Sequence, residues 1–470
     1  MTTLLLLIAL VRQPGSDHTF TIHSDILKQT RTVQIHVPPS FAKSAPSHRY
    51  PTMVVLDGQW LLDSVVPTAE ELTSHGQVPE SVIVAIENTD DDEGRVHDLT
   101  PPGLSVSGSS RNEGGDRFLD FIEKELLPAL DAQFKAGKPR TLVGTSSGGI
   151  LVTYAAATRS TFRFAVALDT PTHLDDNWLI KKVIERARSS TSPMHYASLE
   201  VRFGWTDEAW RQLTAAAPPN WLLYREHLPH ESHTSMQFAG AYIGLREVFR
   251  DYSMIATQNA PTTSILPAYE KLAPSYGATV IPPAPLLREV IDDLLMEGRG
   301  AQAHEAFDTL ASSYGEPSNA AKTRERIAAV ERQPPPAETV ESLLATPFPS
   351  PAEANEYLGD WEGEEWMNPD VKSRMLLRIA EENGKVVATV INWPEPDVEM
   401  KRPMQYLKVT PNGLVFGDMN GMRPRGVILH EGVRKGDTLA GTERFGGIRF
   451  NSPDGRMPPT IHFELRKKNP

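Results

Sequence analysis

The chain has 470 residues, 40% of them apolar and 23% charged, with a formal net charge of −13 and no cysteine. This composition excludes a disordered or membrane-embedded chain, and its acidity argues against nucleic-acid or anionic-membrane binding, which needs a basic face. Without a thiol there is no disulfide, thiolate zinc site or cysteine nucleophile, so covalent catalysis falls to Ser, Thr, Lys or a carboxylate. The length predicts two or three domains.

The apolar run at residues 4–11 is too short to span a bilayer. It reads either as a first buried strand or as the core of a signal peptide, so periplasmic, secreted and cytoplasmic locations all stay open. From about residue 20 to 260 strand-like and helix-like stretches alternate, the pattern of an α/β sheet covered by helices. Residues 32–37 (TVQIHV) alternate as an edge strand does, whereas 52–56 (TMVVL) and 82–86 (VIVAI) are continuous apolar runs suited to strands buried on both faces. Residues 87–116 are rich in Asp, Gly, Ser and Pro and read as a long loop of the kind that covers active sites. A helical face spans 118–130. Short strands follow at 141–143, 164–168 and 199–203, with a helix at 150–157.

Pro282, Pro283 and Pro285 mark a boundary. Helical patterns at 286–297, 301–313 and 319–331 come next, and Pro334-Pro335-Pro336 with 347–351 reads as a stiff linker. Beyond residue 356 short strands succeed one another, with Asn383-Gly384 and Asn412-Gly413 as hairpin signals. An antiparallel barrel of about eight strands is expected.

Chemistry concentrates in Gly144-Thr145-Ser146-Ser147-Gly148. A Gly-x-Ser-x-Gly between a buried strand and a helix has the form of a nucleophile elbow, a turn too tight for side chains at the glycine positions. Ser146 is therefore the candidate nucleophile, placed where helix N–H groups favour a developing oxyanion. The base must follow it in the chain, which leaves His173, His195, His227, His230 and His233. His233, in a loop just ahead of the helical stretch 236–249, is preferred. The spacing of His227, His230 and His233 raises a metal alternative, but Pro229 opposes presentation from one helix, so no metal and no cofactor is expected. The acid is assigned to Asp207, with Glu208 as alternative, in the loop after strand 199–203; Asp169, after strand 164–168, competes. The N–H groups of Ser147 and Gln59 are the expected oxyanion donors, and Trp60 is placed near the acyl pocket.

As a set these residues resemble the putative-esterase (esterase D) family of α/β-hydrolases, especially its branch of siderophore trilactone esterases. Ser24-Asp25-Ile26-Leu27, Leu56-Asp57-Gly58, Asn88-Thr89-Asp90, Asp98-Leu99-Thr100-Pro101, Gly114-Gly115, Glu125-Leu126-Leu127-Pro128 and Glu231-Ser232-His233 carry the resemblance. It implies metal-free serine hydrolysis of small or medium acyl esters through an acyl-enzyme. His97 and Thr145 stand where that family often has arginine and histidine, which makes His97 a candidate substrate contact. The expected architecture is an α/β-hydrolase domain at 17–275, a degenerate tetratricopeptide-like helical segment at 283–333, and a lipocalin-like antiparallel β-barrel at 352–468. The barrel's expected roles are capping the active site, binding carbohydrate or lipid, or forming a homo-oligomer. A ligand-binding protein with an inactive hydrolase unit, and an acyltransferase on the same triad, are the alternative functions.

Overall fold

The computed structural model describes residues 7–8, 17–89, 92–105, 113–257, 260–395, 398–419, 426–448 and 460–468. The chain divides into two compact units. Met1–Ala256, Leu266–Leu287 and Asp308–Ser318 form the first; Thr257–Ile265, Arg288–Phe307 and Asn319–Pro470 form the second. The helices Ala284–Met296, Gly300–Tyr314 and Ala320–Glu331 lie in the 283–333 stretch, and their residues are divided between the two units. Among the described residues no helix is long and apolar enough to cross a membrane.

The first unit is built on a nine-stranded sheet. In chain order its strands are β1 (Leu7–Ile8), β2 (Asp17–Ser24), β3 (Gln29–His36), β4 (Tyr50–Val55) and β5 (Val82–Ile86). They continue as β6 (Ala136–Thr145), β7 (Phe164–Leu168), β8 (Met194–Glu200) and β9 (Trp221–His227). The spatial order is β1-β2-β3-β5-β4-β6-β7-β8-β9, antiparallel from β1 through the β3–β5 pair and parallel from β5 to β9. The central strands are buried along their whole length, as β5, β7 and β8 show, because helices cover both faces. Of the 4–11 run only β1 is described, with Leu7 opposite Phe20.

The stretch 87–116 is not one structureless loop. The helix Asp92–Leu99 occupies its middle, while residues 90–91 and 106–112 lie outside the described residues. Its sequence hides it, because Val96 and Leu99 are its only large apolar side chains and leave too little periodicity to read. The expected 118–130 face runs through Gly115–Phe121, a π-turn at Ile122–Leu126 and Leu127–Gln133.

The second unit carries a curled, wholly antiparallel sheet, a half-barrel of nine strands among the described residues where about eight were expected. They are β10 (Gly359–Asn368), β11 (Val371–Glu382), β12 (Lys385–Glu395), β13 (Val398–Pro403) and β14 (Tyr406–Thr410). β15 (Gly413–Met419), β16 (Val427–Lys435), β17 (Thr438–Gly446) and β18 (His462–Lys467) complete the series. The order is β13-β12-β11-β10-β18-β17-β16-β15-β14, so the last strand pairs with the first. Trp361, Leu377, Val390, Leu407, Phe416, Leu439 and Phe463 form its core. Asn383 and Gly384 both have positive φ in the β11–β12 turn, the conformation that an Asn-Gly hairpin requires. The second Asn-Gly acts differently: Gly413 already pairs with Thr410, leaving Pro411 and Asn412 as the turn. Gly447 and Ile448 fall just beyond β17, and residues 449–450 lie outside the described residues.

Candidate active site

β6 delivers Ser146 to the carboxyl edge of the sheet, the end where open α/β sheets bind ligands. Ser146 has φ 54° and ψ −118°, a backbone state that L-residues avoid, and the helix Ser147–Thr158 starts directly after it. Its N–H donates to Leu168 O at 2.9 Å, which fixes the elbow against the end of β7. The flanking glycines are required by contact. A Cβ on Gly144 would stand 2.6 Å from the Gly148 carbonyl carbon, and one on Gly149 would stand 2.0 Å from Thr170 Oγ1.

Asp169 follows Leu168 at once and is fully buried. Its Oδ1 accepts N–H groups from Val201, Arg202 and Phe203 at 2.9, 2.7 and 2.8 Å. Its Oδ2 accepts from His233 Nδ1 at 2.6 Å. Burial alone would raise the Asp169 carboxyl, but the His233 hydrogen bond and the three backbone donors outweigh it and hold the group below the usual aspartate value. His233 comes from the loop after β9, and its side chain is 30% exposed. The bond at Nδ1 orients the ring and leaves Nε2 as the nitrogen able to accept a proton.

The structure does not bring Asp207 or Glu208 to His233. Asp207 is 91% exposed and pairs with Arg225 at 2.7 Å. Glu208 bonds Arg211 and Gln212 on the outer face of the same helix. Thr206 caps that helix, so both acids fall in its first turn, where they complement the helix dipole. The position by the imidazole, expected for Asp207, is taken by its competitor Asp169. Of the remaining histidines, His195 is a core residue whose Nδ1 meets Val248 O at 2.7 Å, and burial lowers its pKa. His173 stacks on Phe203, whose ring in turn lies edge-on to His233 at 6.0 Å.

The loop after β4 lies beside the elbow, since a Cβ on Gly148 would meet Asp57 Oδ2 at 2.9 Å and Leu56 Cβ at 3.5 Å. Two helices, Gly58–Ser74 and Ser147–Thr158, thus begin next to each other, with Gln59 and Ser147 in their first turns. The Gln59 side chain is engaged elsewhere, its Oε1 accepting from Asn88 N at 3.2 Å. Trp60 is half exposed and carries the Arg95 guanidinium 5.1 Å above its ring. The His97 ring packs against Gly114, whose N–H donates to His97 O at 3.0 Å.

One cluster escaped the sequence reading. The Asp57 carboxylate, 0% exposed, receives Arg95 Nε at 2.7 Å, Arg95 Nη2 at 2.8 Å and Asn88 Nδ2 at 2.6 Å. This bidentate pair ties the helix Asp92–Leu99 to the floor of the elbow. Asp57 and Asn88 were visible in the family pattern; nothing marked Arg95, because its partner lies far off in the chain.

A largely parallel sheet bearing a serine on a strained strand-to-helix turn, with an acid and a histidine on the next loops along the same edge, defines an α/β-hydrolase. Residues 24–216, within the first unit, match the family described as putative esterase. An IroE-like serine hydrolase from Shewanella oneidensis is 24% identical, with a TM-score of 0.52, over 67% of this chain and 99% of that one. The siderophore hydrolase EstB from Aspergillus nidulans is 18% identical over 51% of this chain and 96% of its own, with a TM-score of 0.42. The enterobactin and salmochelin hydrolase IroE is 19% identical over 51% and 97%, with a TM-score of 0.43. No curated protein matches the chain.

Proposed function

We propose that the protein hydrolyses carboxylic esters of small or medium acyl groups by a Ser146–His233–Asp169 triad. The observation that carries this reading is the 2.6 Å Asp169–His233 hydrogen bond, formed on the loop next to the strained Ser146 elbow. His233 Nε2 removes the Ser146 proton as Oγ attacks the ester carbonyl, and Asp169 stabilises the imidazolium that results. The N–H groups of Ser147 and Gln59 receive the oxyanion at the paired helix starts. The imidazolium then protonates the leaving alcohol, and water admitted to the acyl-enzyme repeats the sequence to release the acid. Trp60 and His97 are the proposed substrate contacts. The resemblance to the siderophore trilactone esterases adds siderophore lactones to aryl and aliphatic esters in the substrate panel.

The test is turnover of a chromogenic short-chain ester by the full chain and by Ser146→Ala. We expect kcat to fall at least about a thousandfold, with an unchanged circular dichroism spectrum. Retained turnover in the variant would falsify the nucleophile assignment.

A further inference from the structure

The inner face of the half-barrel changes character along its strands. One end is apolar, with Trp361, Leu377 and Leu465. At the other end Glu365 of β10, Asn392 of β12, Arg402 of β13, Asp418 of β15, His430 of β16 and Glu443 of β17 lie on the same face. Strand pairing places them so: Phe416 stands opposite His430, His430 opposite Glu443, and Glu365 opposite Phe463. Three carboxyl groups therefore share this layer with one guanidinium.

His430 is completely buried, and its ring is stacked on Phe416 at 4.6 Å with Phe463 edge-on at 5.6 Å. Among the described residues neither ring nitrogen has a hydrogen-bond partner. Nε2 lies 2.7 Å from Glu443 Oε1, but off the line along which a ring N–H would donate. A buried imidazole without a hydrogen bond is costly unless something else occupies its lone pair. One ligand atom each from Glu365, His430 and Glu443 lies within 4.8 Å of the others. Bonds of about 2.0–2.2 Å hold tetrahedral donors about 3.5 Å apart, so the three side chains need only close in slightly to share one ion. Glu365 is itself held by Asn392 Nδ2, and Asn392 Oδ1 accepts from Arg402 Nη2 at 3.2 Å. Arg402 also donates to Asp418 at 3.0 Å, so a chain of polar side chains orients the outermost carboxylate, as supports behind metal ligands do.

We propose that Glu365, His430 and Glu443 bind a divalent transition-metal ion of the zinc type inside the half-barrel, a site separate from the ester-cleaving triad. One imidazole and two carboxylates form a borderline N/O donor set that favours zinc over calcium or magnesium, which prefer all-oxygen shells. Three protein ligands leave a position open. Glu365 and Glu443 both line a cleft of about 510 Å³, walled by Trp366, Met367, Ile428 and Ile461, and exchangeable ligands would enter from there.

The experiment is calorimetric titration of the chelator-treated full chain with Zn²⁺, repeated on Glu443→Gln, His430→Gln and His230→Ala. We expect one equivalent to bind at micromolar concentration or below, at least tenfold more weakly in Glu443→Gln and His430→Gln, and unchanged in His230→Ala. Glu443→Gln keeps the side-chain volume, and its unfolding temperature without metal reports whether the barrel is intact; it carries the test if His430→Gln does not fold. Binding weaker than millimolar in the parent protein, equal binding by a folded Glu443→Gln, or loss of binding in His230→Ala would each overturn the site. Displacement of Zn²⁺ by equimolar Ca²⁺ would overturn the assigned metal class.

Discussion

At the residue scale the decisive difference lies between two aspartates. Asp169 is buried, bonded to His233 at 2.6 Å and surrounded by backbone donors, whereas Asp207 is exposed and held by Arg225. Replacing Asp169 with Asn should therefore lower kcat by about 10⁴-fold, since the imidazole loses the partner that sets its tautomer. Asp207→Asn should stay within about twofold of the parent. Steady-state ester kinetics on both variants checks the pair, and the opposite ranking would return the acid to Asp207. The Asp169 shift also has a sign for stability. Its carboxyl sits below the unfolded value, so its stabilisation is present above about pH 3.9 and is lost as the pH falls through the folded pKa. Ser146 and His233 stand out as candidates in the sequence because a turn motif and a loop before a helix are local features. The carboxylate that meets His233 does not, since two successive loops each offer one. What separates them is the return of the 201–203 backbone over Asp169, which no spacing records.

At the element scale the elbow depends on close approach of backbone to neighbours. Gly149 begins a helix under Thr170, and the adjoining floor is locked by the Asp57–Arg95 pair. Arg95→Ala leaves the fully buried Asp57 carboxylate without its cation beneath Gly148, a change that typically costs about 3–5 kcal/mol. The expected result is a lower midpoint in urea unfolding together with a reduced kcat, because Gly148 and the first turn of the serine helix rest on that carboxylate. A midpoint equal to the parent's would remove Arg95 from the support of the site. The parallel strands were readable as apolar runs, and the hairpin at Asn383-Gly384 as turn chemistry. β10 and β13 were not. In β10 Glu362 and Glu364 face outward between inward Trp361, Gly363 and Glu365, which erases the apolar alternation, and β13 is an exposed edge strand.

At the scale of the whole molecule a hydrolase unit and an antiparallel half-barrel occur in one chain, each with its own buried polar groups. Glu297, in the second unit, is one such group: burial pushes its carboxyl up to about 7, against the opposing pull of Thr262 and Arg299. An acid raised in this way binds a proton in the folded state that the unfolded state has released, so stability falls as pH rises from about 4.5 to about 7. Glu297→Gln should accordingly be favoured relative to the parent at pH 8 compared with pH 5, as thermal unfolding at both values would read. A constant difference between the two values would contradict the buried, proton-holding state. The net charge of −13 and the absent cysteine narrow the expected partners and chemistry from composition alone. The pairing of the last strand with the first, by contrast, joins residues about a hundred positions apart and leaves no local trace.

The central claim is that Ser146 attacks the ester carbon, and covalent capture tests it most directly. The full chain is treated with an activated alkyl fluorophosphonate, digested, and mapped by mass spectrometry. One phosphonyl group per chain on the peptide holding Ser146, with ester turnover lost in proportion, is the result predicted here. Turnover that survives stoichiometric labelling, or a label on another residue, would contradict it.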